Sequence, residues 1–229
     1  MMHQLTRSLR NLSIAALTLA AVPVVAEAAK VTLQENAGNF KLLVDGQPFF
    51  IEGAGGGASK PFLKECGGNS FRTWGVGAET QKILDEAEKL GLKVTLGIWL
   101  GHERHGFNYN NPKAVQDQFD KAKAAVAKYK NHPALLMWAV GNEMEGFKAG
   151  DNPAIWKAVN DIAEMIKKDD PDHPTMTVIA EIGGARVKMI NELCPAIDVV
   201  GINSYGGGPS IAERYRKAGG KKPYVMTEY

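Results

Sequence analysis

Strand-like and helix-like segments alternate along this chain from Phe49 to its last residue, and this alternation restricts its fold more than any other feature. Seven short apolar segments are predicted as strands, and a segment with helical periodicity follows each of the first six. The predicted strands are Phe49–Gly57, Ser70–Trp74, Lys93–Leu100, Ala134–Val140, Thr175–Ala180, Asp198–Asn203 and Tyr224–Glu228. Such alternation indicates parallel pairing through right-handed crossovers. The sequence therefore predicts an α/β fold, either a (β/α)8 barrel or an open doubly wound sheet.

The ends of the predicted strands favour the barrel. Gly53–Gly57 is glycine-rich, but it lacks the lysine-serine ending and the later acidic residue of a nucleotide-binding loop. Polar residues follow nearly every strand: Arg72, the His102 region, Asn142–Glu143, Glu181, Asn203–Tyr205 and Glu228. In a barrel these ends meet at one mouth, where active sites of this fold lie.

The N-terminus has the pattern of an export signal. Arg7 and Arg10 precede an apolar stretch over Leu12–Val25, and Ala26–Ala28 supplies small residues for a cleavage site. A short membrane anchor is the alternative, but the stretch is short for a bilayer and no stop-transfer flank follows. We expect a signal peptide over 1–28, a β-hairpin over 29–48 and a barrel domain over 49–229, in a secreted or periplasmic protein without a membrane contact after cleavage.

Charge and cysteine positions limit which partners, disulfides and metal sites can be expected. The formal charge of +2 and the absence of a Lys/Arg-rich run give no reason to expect nucleic acid. Cys66 and Cys194 precede the second and sixth strands, too far apart around a barrel for a disulfide, and are predicted to be unpaired, mostly buried thiols. No residue spacing indicates a metal cluster, and no cofactor is expected.

Two strands end in glutamates. The apolar run Ala134–Val140 leads through Gly141 to Asn142 and Glu143, and the run at Tyr224–Met226 leads to Glu228. Two carboxylates at the mouth of a barrel are the minimum equipment for hydrolysing a glycosidic bond.

Four motifs carry a resemblance to a known family. WAVGNE after the fourth strand, TEY after the seventh, FRTW at the second and GINSY at the sixth together resemble clan A glycoside hydrolases, most closely the TIM-barrel domain of glycoside hydrolase family 2. The resemblance implies that Glu143 is the acid/base and Glu228 the nucleophile. It also implies that Arg72 and Tyr205 keep Glu228 ionised and that Asn142 binds the sugar 2-hydroxyl.

Each candidate also has a structural interpretation. Glu143 could cap a helix, Arg72 could be an ion-pair partner, and Tyr205 could lie in the core. Trp74 and Trp99 could fill the barrel, or stack on sugar rings as substrate-binding residues. His102 and His105 are too few ligands for a metal, but one of them, His102 in our assignment, could contact substrate from the third strand loop.

These observations predict a retaining glycoside hydrolase that cleaves O-glycosidic bonds in a carbohydrate substrate, and β-linked bonds are favoured. The alternatives are a non-catalytic glycan-binding barrel and a transglycosylase on β-glucans. Family 2 members usually carry β-sandwich domains before the barrel, and this chain has no room for one. An endo-acting β-glucanase or mannanase therefore fits as well as an exo-acting enzyme, and the sugar, the linkage and the oligomeric state stay open.

Only seven strands are predicted, whereas a closed barrel of this type has eight. We therefore expect a barrel truncated after its seventh strand, with no strand between the first and the last, and a chain that alone is poorly stable and weakly active or inactive.

Overall fold

The structure is a computed structural model that describes residues 28–146 and 150–229. The signal-peptide prediction falls almost wholly outside these residues. The strands are β1 (Val31–Asn36), β2 (Asn39–Val44), β3 (Gln47–Pro48), β4 (Gly53–Gly55), β5 (Ser70–Arg72), β6 (Lys93–Ile98), β7 (Leu135–Asn142), β8 (Thr175–Ile179), β9 (Val199–Asn203) and β10 (Tyr224–Glu228). The helices are α1 (Lys60–Glu65), α2 (Thr80–Leu90), α3 (Pro112–Tyr129), α4 (Pro153–Asp169), α5 (Arg186–Leu193) and α6 (Ile211–Lys217). Short 3-10 turns lie at Glu103–His105 and Gly208–Ser210.

Seven parallel strands form one sheet in the order β10-β9-β8-β7-β6-β5-β4. Each strand pairs with the strand before it in the chain, with a helix between them, so the sheet curls into a nearly closed barrel. Within the described residues no strand pairs with the outer edges of β4 and β10. The predicted barrel without an eighth strand is confirmed.

Strand β7 is the centre of the sheet, and all eight of its residues are buried. Leu135, Trp138 and Val140 belong to the cluster formed with the surrounding helices. Leu136 and Met137 belong to a second cluster, inside the barrel. Burial on both faces explains why the sequence of this strand is a continuous apolar run and does not alternate.

A small antiparallel sheet of β1, β2 and β3 precedes the barrel. Its turns, at Ala37–Gly38 and at Asp45–Gly46, have positive φ angles. Val31 is buried and its N–H donates to the Asp172 carbonyl oxygen at 2.8 Å. Leu33, Leu42 and Val44 pack against the barrel-interior cluster, so this sheet covers part of the interior.

Two predictions about local structure are corrected. The first barrel strand is not Phe49–Gly57 but only the three residues of β4, because β4 has a partner on one side alone, β5. Cys66 is exposed and not buried, since it ends a six-residue helix with no buried residue, whereas Cys194 is buried; both thiols are free. Among the described residues, no helix is long and apolar enough to cross a membrane.

Candidate active site

Glu228, the last residue of β10, accepts hydrogen bonds from three side chains. Its Oε1 accepts from Arg72 Nη2 at 2.6 Å and from Trp74 Nε1 at 3.0 Å. Its Oε2 accepts from the Tyr205 hydroxyl at 2.5 Å. Arg72 ends β5, and Tyr205 follows β9, so three strand ends converge on one carboxylate.

The contacts of Glu228 also act on its neighbours. All three groups that bond to its carboxylate are hydrogen-bond donors, and one of them is a cation. The hydrogen bond to Glu228 raises the pKa of Tyr205. Burial lowers the pKa of the Arg72 guanidinium, and attraction to Glu228 opposes that shift. Arg72 remains charged, because an arginine guanidinium holds its proton across the whole range in which proteins are folded.

Glu143 lies directly after β7, in a left-handed backbone conformation with φ of 51°. Its Oε1 accepts from Asn203 Nδ2 at 2.7 Å, and its Oε2 lies 3.9 Å from Arg104 Nη2. The Glu143 side chain is 15% exposed and the Glu228 side chain 19%, so both carboxyls can be reached from solvent. Arg104 is thus farther from Glu143 than Arg72 is from Glu228, at 3.9 Å against 2.6 Å.

Hydrogen bonds link the two carboxylates through two asparagines. Asn142 Oδ1 accepts from Arg72 Nη2 at 3.2 Å and from Asn203 Nδ2 at 3.3 Å. Asn203 Oδ1 in turn accepts from the Thr227 hydroxyl at 2.6 Å. Sequence reasoning placed Asn203 at a strand end but did not assign it to the site, and it missed Thr227. Asn203 pairs with Glu228 in the β9–β10 register, and this pairing brings Asn203 and Thr227 into the site. The pairing depends on a bulge that the sequence does not reveal.

The structure separates the remaining candidates. Trp74 uses its indole N–H on Glu228 and also lies under the Arg72 guanidinium, 5.1 Å from the ring centroid. Trp99 is 50% exposed and stacks on His102 with ring centroids 4.6 Å apart. His102 also stacks on His105 and is buried. His102 therefore packs between Trp99 and His105.

Burial is also the main influence on the charge of His102. It lowers the pKa of the imidazole, and the nearby Arg104 and His105 lower it further. A neutral, buried ring under an exposed indole is a typical platform for a stacking surface.

A cavity of about 1290 Å³ opens between the two edge strands of the barrel. Glu228, Trp74, Tyr205 and Arg72 line one part of it, and apolar residues of the barrel interior and of the small N-terminal sheet line the rest. In the described part of the chain no group of three or more His, Cys, Asp or Glu side chains could hold a metal ion. The described site contains two carboxyls, the cations Arg72 and Arg104, and several neutral donors.

The family of the chain follows from a match to a family model. Residues 76–229 match the model of glycosyl hydrolases family 2, TIM barrel domain. Because this match covers more than half of the chain, the chain belongs to glycoside hydrolase family 2, as the four motifs predicted.

Curated relatives and solved structures are consistent with this family. A β-glucuronidase of Paenibacillus borealis is 27% identical over 191 residues, which cover 73% of this chain and 30% of that protein. A β-glucuronidase of Felis catus is 27% identical, covering 72% of this chain and 26% of the relative. The chain thus spans less than a third of the length of these relatives.

Two solved structures share the fold at lower identity. A β-glucuronidase of an uncultured Clostridium species has a TM-score of 0.66 and 23% identity, covering 88% of this chain and 38% of that one. A β-galacturonidase of Eisenbergiella tayi, bound to galacturonate, has a TM-score of 0.65 and 20% identity, covering 86% and 38%.

Proposed function

We propose that this domain hydrolyses β-linked glycosidic bonds with retention of anomeric configuration, using Glu143 as acid/base and Glu228 as nucleophile. The observation that carries the proposal is the difference between their environments. Among the described residues, Glu228 accepts three hydrogen bonds, one of them from a cation at 2.6 Å, whereas Glu143 accepts a hydrogen bond from a neutral amide. A carboxyl bonded to a cation suits the ionised nucleophile, and a carboxyl bonded to a neutral donor suits the acid.

In the first step Glu228 attacks the anomeric carbon while the Glu143 proton passes to the leaving oxygen. The glycosidic C–O bond breaks as the ester to Glu228 forms. In the second step Glu143, now ionised, takes a proton from water, the water oxygen attacks the same carbon, and Glu228 leaves as a carboxylate. Both residues return to their starting protonation states, and the net reaction consumes one water.

Asn142 and Trp99 suit the binding of the sugar. Asn142 uses its carbonyl oxygen to accept from Arg72 and Asn203, which leaves its amide N–H groups to donate to the sugar 2-hydroxyl. The exposed indole of Trp99 offers a face on which a sugar ring can stack. These contacts support a saccharide substrate without fixing its identity.

The substrate panel follows from the relatives and from the open barrel. Aryl β-glucuronides and β-galacturonides come first, because similar proteins carry those names. Aryl β-glucosides and β-mannosides, with β-glucan and mannan polymers, test the endo-acting alternatives.

The direct test is covalent labelling with 2-deoxy-2-fluoro glycosyl fluorides of the same sugars. The proposal expects a mass increase of one fluoro-sugar on the whole chain, located by peptide mapping on Glu228. Glu228→Gln should abolish the label. Glu181→Gln is a matched control, since Glu181 also follows a barrel strand and also pairs with an arginine, Arg214, and it should keep the label.

The outcomes separate the alternatives. Glycan binding without a label on any glutamate would instead indicate a non-catalytic binding barrel. A label on Glu228 that transfers to an added β-glucan faster than to water would indicate a transglycosylase. A label on another glutamate would contradict the assignment of the nucleophile.

A further inference from the structure

The turn that follows β7 holds Glu143 in an unfavourable conformation. This turn, Glu143–Gly146, is closed by a hydrogen bond from the Gly146 N–H to the Glu143 carbonyl oxygen at 2.9 Å. Glu143 has φ of 51° and Gly146 has φ of 59°. A residue with a side chain in the left-handed region costs about 1–2 kcal/mol, so neighbouring contacts must hold it there.

A buried ion pair supplies those contacts. Glu145 Oε1 accepts from Arg186 Nε at 2.8 Å and from the Ala180 N–H at 2.9 Å. Arg186, at the start of α5, also donates from Nη2 to the Gly146 carbonyl oxygen and from Nη1 to the Gly183 carbonyl oxygen, each at 3.0 Å. The Glu145–Arg186 pair therefore ties the turn to the segment between β8 and α5.

The pair is unusual because it is almost completely buried. The two side chains are 1% and 8% exposed, and Glu145 Oε2 is buried without a hydrogen-bond partner among the described residues. Burial raises the pKa of Glu145, while the bonds from Ala180 and Arg186 act in the opposite direction. A buried pair of this kind is rarely more stabilising than an apolar pair of similar volume, so stability alone is a poor reason for it.

We propose that Glu145 and Arg186 are positioning residues for Glu143. They fix its turn within reach of Asn203, and their opposite charges cancel, so that the pair adds no net charge near Glu143. The inference rests on the proposed acid/base role of Glu143. The pair has two roles in this proposal. Its four hydrogen bonds to the turn and the neighbouring segment hold the turn in place, and its two opposite charges cancel.

The electrostatic part makes a signed prediction for Glu145→Gln. This variant removes the negative charge that Glu145 sets against Arg186, and the added net positive charge should favour the ionised form of Glu143 and lower its pKa. Because Glu143 must be protonated to act on the leaving group, the alkaline limb of kcat/KM should move to lower pH by roughly half a unit or more. With a poor leaving group kcat should fall about tenfold or more, because the acid is also displaced.

A double variant separates charge from structure. Glu145→Gln with Arg186→Met removes both charges, so the alkaline limb should return to the wild-type pH while kcat stays low. Asp170→Asn is the matched control, because Asp170 is also a buried carboxylate, bonded to Trp138 Nε1 and His173 Nδ1 near the N-terminal end of β8. It should lower the melting temperature without moving the limb.

A measurement that needs no turnover keeps the inference separate from the proposed function. Carbon-13 NMR titration of the Glu143 carboxyl, assigned by its loss in Glu143→Gln, reports the pKa directly in folded protein. The inference expects a lower value in Glu145→Gln and recovery in the double variant. An unchanged Glu143 pKa in folded Glu145→Gln would overturn it, whereas absent labelling of Glu228 with the expected titration would overturn only the proposed function.

Discussion

The two carboxyl groups of the candidate site differ in their partners, and in the proposed mechanism this difference changes during the reaction. Two carboxylates in one site repel each other, so in the free domain the charge of Glu228, paired with Arg72, opposes a second negative charge on Glu143. In the proposed mechanism that opposition ends when Glu228 becomes an ester, and Glu143 can then act as a base. Arg104, 3.9 Å from Glu143, assists the ionised form at that stage. One pair of residues thus supplies an acid and then a base at one pH.

Replacing Glu143 tests its role as proton donor. Glu143→Gln keeps an acceptor for Asn203 but cannot give a proton, so kcat/KM for substrates with poor leaving groups should fall about 10²–10⁴-fold. Aryl glycosides whose leaving groups need no proton should lose little in the glycosylation step. The measurement is kcat/KM across aryl glycosides of graded leaving-group pKa. Equal losses across that series would contradict the role.

Replacing Arg72 tests how the nucleophile is kept ionised. Arg72→Met removes the cation 2.6 Å from Glu228, so the pKa of Glu228 should rise. Since the nucleophile must be ionised, the acidic limb of kcat/KM should move to higher pH, with a loss of about 10²-fold or more near neutrality. We expect the activity to fall more than the stability, because Trp74, Tyr205 and solvent still satisfy Glu228.

The matching control is Arg72→Lys, which keeps the charge and should keep the acidic limb in place. The measurements are the melting temperatures and the pH profiles of kcat/KM of the two variants. Together they show whether Arg72 acts on Glu228 or only on stability. A large fall in melting temperature in Arg72→Met with unchanged kcat/KM would show that Arg72 is structural.

At the scale of elements, the site depends on how closely neighbouring strands approach. Gly97 in β6 lies against the backbone that continues β5, where a Cβ would come within 2.4 Å of the Thr73 carbonyl oxygen and of the Trp74 carbonyl carbon. The Gly97 N–H also donates to Thr73 Oγ1 at 3.1 Å. The absence of a side chain at Gly97 therefore sets where Trp74 leaves the sheet and reaches Glu228.

Gly97→Ala should damage both stability and the site. Backbone atoms cannot move aside as a flexible side chain can, so the substitution should cost about 1–3 kcal/mol of unfolding free energy. It should also displace Trp74 and lower the rate of Glu228 labelling by a fluoro-sugar. Gly77→Ala is the control, because a Cβ there meets no atom within 4 Å. Equal melting temperatures for the two variants would contradict this account of the strand approach.

Elements with a local signal were predictable from the sequence, and those that depend on a partner were not. The helices Thr80–Leu90 and Pro112–Tyr129 have apolar stripes with clear start or stop residues, and this local signal is what predicted helical segments between the strands. The first barrel strand was predicted too long, because its length is set by pairing with β5.

The same distinction holds within the site. Arg72, Asn142, Tyr205 and Glu228 were predicted to converge because each lies at the end of a parallel strand, and the structure brings them together through hydrogen bonds. The bond from Trp74 to Glu228, the bridge through Asn203 and the burial of His102 depend on register and on loop packing. No residue pattern along the chain reports these.

At the scale of the molecule, stability is distributed unevenly from the centre of the sheet to its edges. Strand β7 is buried along its whole length, whereas all three residues of β4 are exposed and no residue of β10 is fully buried. The cavity of about 1290 Å³ lies between those edges, and Phe50 beside it is largely exposed. Glu228, the proposed nucleophile, therefore lies on an edge strand, and its bonds to Arg72 and Trp74 cross the open side of the barrel mouth.

Hydrogen exchange of the purified 229-residue chain should reveal this gradient. Amides of Leu135–Asn142 should exchange only through global unfolding, because both faces of β7 are covered. Amides of Gly53–Gly55 and Tyr224–Glu228 should exchange through local openings that need less free energy, since one side of each strand lacks a partner strand. The low stability and weak activity that we expect of the chain follow from this, because opening of β10 removes Glu228 from its three donors.

A fluoro-sugar bound to Glu228 should slow exchange in β10 more than in β7. Equal protection of β4, β7 and β10, together with one cooperative melt and robust hydrolysis, would show that the open edges do not limit this domain.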